Sequence, residues 1–325
     1  MNEPPFTAPR ISEEDVAWVC DVMKLPRTAF SGQDGSDPRL WVLKSMTAMD
    51  VEACPGSGKT TLLVAKLAIL ARKWTDSRSG LCVLSHTNVA RREIEKRLGS
   101  TPEGMRLLAY PHFVGTIHGF VNEFLALPWL RSLGYPIRII DDNFCEQHRR
   151  RLLESPRFRT LANYVSRLEG NPKINVVAHW RLASANLDVR KENGEPEFKD
   201  STKPAARQLR LLGETCLKDG YHRHDEMFMW AHDFLDKCPT VRRAIRARFP
   251  LLFLDEVQDN SEGQSFLLFR AFMDGNDSVL RQRFGDSNQA IYQHAGQTEG
   301  ASTDYCYRSG ESVEIWTFWS SLKRR

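Results

Sequence analysis

No run of 18 or more apolar residues occurs in the chain, so no segment is long and apolar enough to cross a bilayer as a helix. The N-terminal stretch MNEPPFTAPRISEED is acidic and has no apolar core, which argues against a secretory leader. Cysteine is sparse, with seven residues, an odd number, and no CxxC pair. That usage argues against a disulfide framework or a zinc site and leads us to expect a reducing, cytoplasmic compartment. Internal repeats and low-complexity tracts are lacking too. A formal charge of +4 is too mild to name a partner. What remains is ordinary folded-protein composition, 41% hydrophobic and 26% charged over 325 residues, with room for about two domains.

The distribution of charge says more than its total. Residues 131–250 hold 23 Lys and Arg against 16 Asp and Glu, a surplus of +7, while the rest of the chain sums to −3. Clusters such as Arg149–Arg150–Arg151, and Arg242 and Arg243 with Arg246 and Arg248, suit either a polyanion or a solvated helix face. The segments HRRRLLESPRFRTLANYVSRLEG and RQLRLLGETCLKDG repeat apolar residues at three- and four-residue spacing, which predicts helices. The polar stretch 186–204 between them predicts a loop.

Outside that segment, short apolar runs alternate with amphipathic helices. MDVEACPGSGK precedes the helix-like TTLLVAKLAILARKW, and GLCVLSHT precedes NVARREIEKRLG. FPLLFLDE and SVLRQRFGD each predict a buried strand ending in a carboxylate. This pattern predicts an α/β fold with a parallel sheet covered on both faces, interrupted by the basic helical segment. We expect an N-terminal helical or irregular segment over 1–45, for which the sequence gives no functional reading. A core over 46–130 and 250–300 would carry an insertion at 131–249.

Two motifs in that core carry chemistry. Ala53-Cys-Pro-Gly-Ser-Gly-Lys-Thr60 lies between a predicted strand and a predicted helix, the context a phosphate loop requires. Gly56 and Gly58 would let backbone N–H groups approach phosphate oxygens, Lys59 would reach the β- and γ-phosphates, and Thr60 would ligate Mg²⁺. Cys54, Pro55, Ser57 and Thr61 complete the cradle, and Ala53 stands where the general pattern has glycine. The hydrophobic strand in Leu251-Leu-Phe-Leu-Asp-Glu-Val-Gln-Asp259 would then deliver Asp255 for the metal and Glu256 to polarise an attacking water. ATP and Mg²⁺ are therefore the expected ligands.

The ordered set ACPGSGKT (53–60), SHTNVARREIEKRL (85–98), GTIHGF (115–120), LDEVQD (254–259) and GDSNQAIY (285–292) resembles the N-terminal motor half of superfamily 1 helicases of the UvrD/Rep type. The resemblance covers residues 50–125 and 250–297. It implies a RecA-like P-loop domain, with the insertion in the place of that family's helical, DNA-contacting subdomain. By the same resemblance, Gln258 would couple the hydrolytic site to the DNA motifs. Gln289, supported by Asp286, would sense the γ-phosphate, and Arg308 would approach it. His86, Thr87, Asn88, Thr116, His118 and Tyr292 would follow single-stranded DNA or DNA ends, Tyr292 serving equally as core packing.

Departures from the family pattern narrow this. His86 stands where the family has an aromatic. His294 and Ala295 replace a stacking tryptophan and its neighbouring arginine, and Gln33 is a poor match to the glutamine ahead of the phosphate loop. Residues 301–325 resemble only the start of a second motor domain, so we expect a chain that is incomplete as a motor on its own. The chain is also similar to the UvrD-like subunit of Gabija-type anti-phage systems, which implies an alternative: a nucleotide- and DNA-sensing regulatory subunit that gates a partner nuclease. No membrane association is expected.

Overall fold

The computed structural model describes residues 6–32, 37–54, 56–170, 175–191, 193–275, 279–286 and 314–318. The chain divides into two compact units, one from residues 1–117 with 242–325 and the other from 118–241. In chain order the first unit opens with helices α1 (Glu13–Val22) and α2 (Pro38–Lys44), then β1 (Met49–Ala53) and α3 (Lys59–Lys73). It continues through β2 (Leu81–Ser85), α4 (Val89–Leu98), α5 (Pro102–Leu107) and β3 (Phe113–Thr116). The second unit holds α6 (Ile117–Val121, entered from the first), α7 (Leu127–Ser132), β4 (Ile139–Ile140), α8 (Asp142–Leu153) and α9 (Arg159–Leu168). After these come β5 (Trp180–Leu182), β6 (Val189–Lys191), α10 (Pro204–Asp219), β7 (Tyr221–His222) and α11 (Glu226–Lys237). The chain leaves through α12 (Thr240–Arg248) and completes the first unit with β8 (Leu251–Asp255), α13 (Glu262–Phe272), β9 (Leu280–Gly285) and β10 (Glu314–Phe318).

The first unit is built on a six-stranded sheet in the order β10-β1-β9-β8-β2-β3, parallel at every pairing. Parallel strands cannot be joined by tight hairpins, which is why helices separate them in sequence. Strands β2 and β8 are buried at every residue, as unbroken apolar runs such as LCVLS and LLFLD require. The α/β reading is thus met.

Helix α3 explains much of the core. Leu62 through Ala71 are all buried, and a helix apolar around its circumference must lie inside. It packs against α1 and α2 on the N-terminal side. Val16, Val19 and Cys20 of α1 and Val42 and Leu43 of α2 join the same core. Helices α1 and α2, which carry no functional reading in sequence, therefore contribute a wall of that core. Lys66 is the one cation within this apolar run of α3. It is fully buried, and its Nζ donates to the carbonyls of Val42 (2.8 Å) and Ser45 (2.5 Å) at the end of α2. Burial drives its pKa well below the usual lysine range.

The second unit has its own core from Phe158, Leu161, Val165, Val177, Trp180, Leu209 and Leu212. The predicted long helix is broken at Ser155–Pro156 into α8 and α9, because proline cannot continue the hydrogen-bond ladder. The stretch 186–204 is not wholly loop. Its Val189–Lys191 pairs antiparallel with β5. At the centre lies a buried ion pair, with Arg149 Nη2 at 2.9 Å from Glu226 Oε1 and Arg149 Nη1 donating to Trp180 O at 2.7 Å.

Several arginines weighed as phosphate contacts are therefore committed internally. Arg149 is buried, and Arg150 bonds Glu146, Glu169 and Asn175. Within the first unit, Arg246 donates to the carbonyls of Ala271 and Asp274, and Arg242 pairs with Asp274.

Candidate nucleotide site

The phosphate loop forms where β1 ends and α3 begins. Gly56 (φ 74°) and Gly58 (φ 88°) both occupy the left-handed region, which a residue with a Cβ enters only under strain. Gly58 is also the N-cap of α3 and makes no side-chain cap, so the first N–H groups of that helix face outward without a donor-satisfying side chain at the cap. Lys59 is buried, and its Nζ donates to Ala53 O (2.5 Å) and Cys54 O (3.3 Å). Its ammonium thus lies folded across the loop. Thr60 and Thr61 are half-buried in the first turn of α3. The Ser57 hydroxyl is buried with no partner among the described residues.

Sheet register brings the acidic motif to the same edge. Glu52 pairs with Gly285, while Asp255 pairs with Ser85 and Ser85 with Thr116. The residues that end β1, β9, β8, β2 and β3 therefore line one carboxyl edge, where ligands collect in open α/β sheets. Asp255 is 1% exposed. Its Oδ1 accepts from Glu256 N at 3.1 Å, and its Oδ2 has no partner among the described residues. Burial, reinforced by the neighbouring Glu256 carboxylate, pushes the Asp255 carboxyl up to about 7, against the opposing pull of Lys59. An orphaned, buried carboxylate oxygen close to a threonine-bearing phosphate loop is the hard oxygen donor set that Mg²⁺ takes.

Beyond Asp255 the backbone turns sharply. Glu256 adopts φ 51°, a left-handed conformation that an L residue holds only where its surroundings fix it. Gln258 Nε2 donates to Glu256 Oε2 (2.5 Å), and Gln258 Oε1 accepts from the Asp286 backbone N–H (3.0 Å). One amide thus ties the β8 motif to the end of β9. The fit is close enough to explain Gly285: a Cβ there would stand 2.7 Å from Val257 Cγ2 and 2.9 Å from Gln258 Oε1.

Of the remaining sequence candidates, His86, Thr87 and Asn88 follow β2 directly, and Thr116 ends β3. Ser85, which sequence reasoning passed over, donates its buried hydroxyl to Thr87 O and so shapes this turn. No residue pattern announces such a hydroxyl. Burial and then Glu256 raise the pKa of Asp259, while His86 opposes them and so lies within electrostatic reach. His118 belongs to the other unit, where its ring meets Phe228 edge-on at 4.9 Å. Pro55, Gln289, Tyr292 and Arg308, with Gln33, His294 and Ala295, lie outside the described residues.

Residues 37–299 match the UvrD/REP helicase N-terminal domain family, a span that includes the phosphate loop, the Asp255–Glu256 strand end and the unit inserted between them. The chain belongs to that family. Among UvrD/REP relatives it is 26% identical over 256 residues to the ATP-dependent DNA helicase srs2 of Schizosaccharomyces pombe, covering 74% of this chain and 27% of that protein. It is 24% identical over 251 residues to DNA helicase II of Haemophilus influenzae, covering 76% and 32%. With Gabija protein GajB of Bacillus cereus the identity is 25% over 247 residues, covering 74% and 37%. The chain spans roughly a third of the length of these relatives.

Proposed function

We propose that this UvrD/REP chain binds and hydrolyses ATP and contacts single-stranded DNA, acting as a helicase motor half. The observation that carries the reading is the shared sheet edge, where Gln258 ties Glu256 to the end of β9 and Asp255 lies within electrostatic reach of Lys59. Lys59 exchanges the Ala53 and Cys54 carbonyls for the β- and γ-phosphates, and the N–H groups of Gly56 through Thr61 wrap the rest. Thr60 and Asp255 hold Mg²⁺, which neutralises developing phosphate charge when bound. Glu256 takes the proton of the attacking water, oriented by its bond from Gln258. Gln258 also accepts from the Asp286 backbone N–H, so one side chain links Glu256 to the end of β9. Arg308 completes the charge around the γ-phosphate. His86, Thr87, Asn88, Thr116, His118 and Tyr292 contact the DNA strand.

The test is steady-state ATP hydrolysis with and without single-stranded DNA. Lys59→Ala should abolish hydrolysis, and Glu256→Gln should bind ATP yet turn over at least about 100-fold more slowly. Hydrolysis by Lys59→Ala equal to the parent would sink the reading.

A second reading has specific support in the similarity to GajB. In it, the same nucleotide site gates a partner nuclease in anti-phage defence. Purification from the native host distinguishes the two: a nuclease that co-purifies and responds to ATP favours gating, and a second motor half that co-purifies and completes DNA unwinding favours the motor.

A further inference from the structure

We propose that Arg39 is an additional cation of the phosphate loop, recognising the polyphosphate of a nucleoside triphosphate rather than its base; the proposal rests on the nucleotide reading above. Arg39 lies in the first turn of α2, just past the N-cap Asp37. Asp37 Oδ1 accepts from the Arg39 backbone N–H at 2.9 Å. The side chain then folds back on the same carboxylate, with Nε at 3.0 and 2.9 Å from its two oxygens and Nη2 at 2.5 Å from Oδ2. Two of the three guanidinium nitrogens are thus engaged, and the plane of the group is fixed. The third, Nη1, points the other way: it lies 3.8 Å from where a Cβ on Gly58 would stand.

This places a pinned guanidinium beside the residue that opens α3. The N-terminus of a helix already carries positive partial charge, and a cation there is disfavoured unless an anion joins it. Lys59 adds a second full charge within the same loop, and the acceptors it meets are the uncharged carbonyls of Ala53 and Cys54. Asp37 offsets Arg39, so the loop keeps the charge of Lys59 and the orphan N–H groups of α3, with Arg39 held ready at the rim. Lys59 is buried, and Arg39 beside Gly58 is about one-third exposed. A planar fork held by a carboxylate at its back suits a phosphate at its front. Since charge is what it reads, Arg39 should favour no base over another.

The experiment measures binding of Mg²⁺-ATP, Mg²⁺-GTP and Mg²⁺-tripolyphosphate to the parent, Arg39→Ala, Arg39→Lys and Asp37→Ala, with thermal melting of each protein alone as the folding control. Arg39→Ala should weaken all three ligands by a similar factor, about tenfold, the loss of one charge-assisted contact. Arg39→Lys should recover part of that loss. Asp37→Ala, which keeps the guanidinium but frees it, should lose less binding than Arg39→Ala. Three results overturn the proposal: Arg39→Ala binding like the parent, Arg39→Ala losing ATP but keeping tripolyphosphate, or Asp37→Ala losing binding as much as Arg39→Ala. If Lys59→Ala abolishes ATP binding while Arg39→Ala is silent, Arg39 falls and the nucleotide site stands. A parent that binds none of the three ligands would remove both.

Discussion

At the scale of single residues, His112 and Gly285 show how close packing turns side-chain chemistry into measurable behaviour. His112 is buried, and its Nδ1 accepts from Leu81 N (3.0 Å) at the start of β2. Burial, aided by Arg106 and Arg248, lowers its pKa to about 4 from an ordinary 6.5. The folded state therefore holds this ring neutral where the unfolded chain would protonate it. Stability from this group is full above pH 6.5 and is lost as pH falls towards 4. Chemical denaturation from pH 7.5 to 4.5 should show a decline of up to about 3 kcal/mol that is reduced in His112→Gln; an unchanged decline would assign the acid sensitivity elsewhere. Gly285→Ala forces a methyl against Val257 and Gln258. We expect hydrolysis to fall by about tenfold or more, since misplacement near the chemistry is costly, with a smaller loss of melting temperature. These two residues were not equally visible beforehand. The Gly-Asp pair stood in a motif, whereas nothing near His112 in sequence points to Leu81, 31 positions away.

At the scale of elements, the phosphate loop and the Asp255–Glu256 strand end were legible because their chemistry dictates residue type and local spacing. The buried polar residues of β9 were not. Its sequence LRQRFG puts Arg281, Gln282 and Arg283 inside the sheet. Arg283 pairs with Asp50, and Gln282 Nε2 donates to Ser45 O (3.1 Å) and Thr47 O (2.9 Å). Those partners lie more than 230 positions earlier, beyond any local pattern. Lys66 is a similar case, a buried ammonium that closes the last turn of α2. Lys66→Ala removes both bonds and empties the space of a long stem in a fully packed helix. It should destabilise the protein by about 2–5 kcal/mol in urea titration. A loss below about 0.5 kcal/mol would mean that the ammonium's burial costs as much as its bonds return.

For the whole molecule, the positive surplus of residues 131–250 looks different once partners are known. Arg149, Arg150, Arg181, Arg190 and Arg223 all face carboxylates within the second unit. These pairs take as many carboxylates as arginines, so the surplus of +7 stands but is carried by other side chains. The cations left for a polyanion include Arg157, Arg159, Lys203 and Arg207, all exposed, around the junction where Gln208 Oε1 accepts from Leu161 N. Four phosphate contacts to a single strand give a slope of about −3 in log K against log salt, well short of what the raw arginine count suggests. Filter binding or anisotropy across a salt series measures this directly. The combined Arg159→Glu and Arg207→Glu variant should flatten the slope, and an unaltered slope would move the contact to another face.

The strand order also has a consequence for biosynthesis. β1 lies between β9 and β10, both made more than 225 residues after it. While the ribosome builds the inserted unit, β1 has neither neighbour, and the phosphate loop has no strand end opposite it. The nascent chain therefore carries a strand with two open edges until β9 is made, the condition under which strands pair with the wrong chain. Yield should be sensitive to translation speed and to holding chaperones, and the phosphate loop meets no opposing strand end until β8 and β9 have been made.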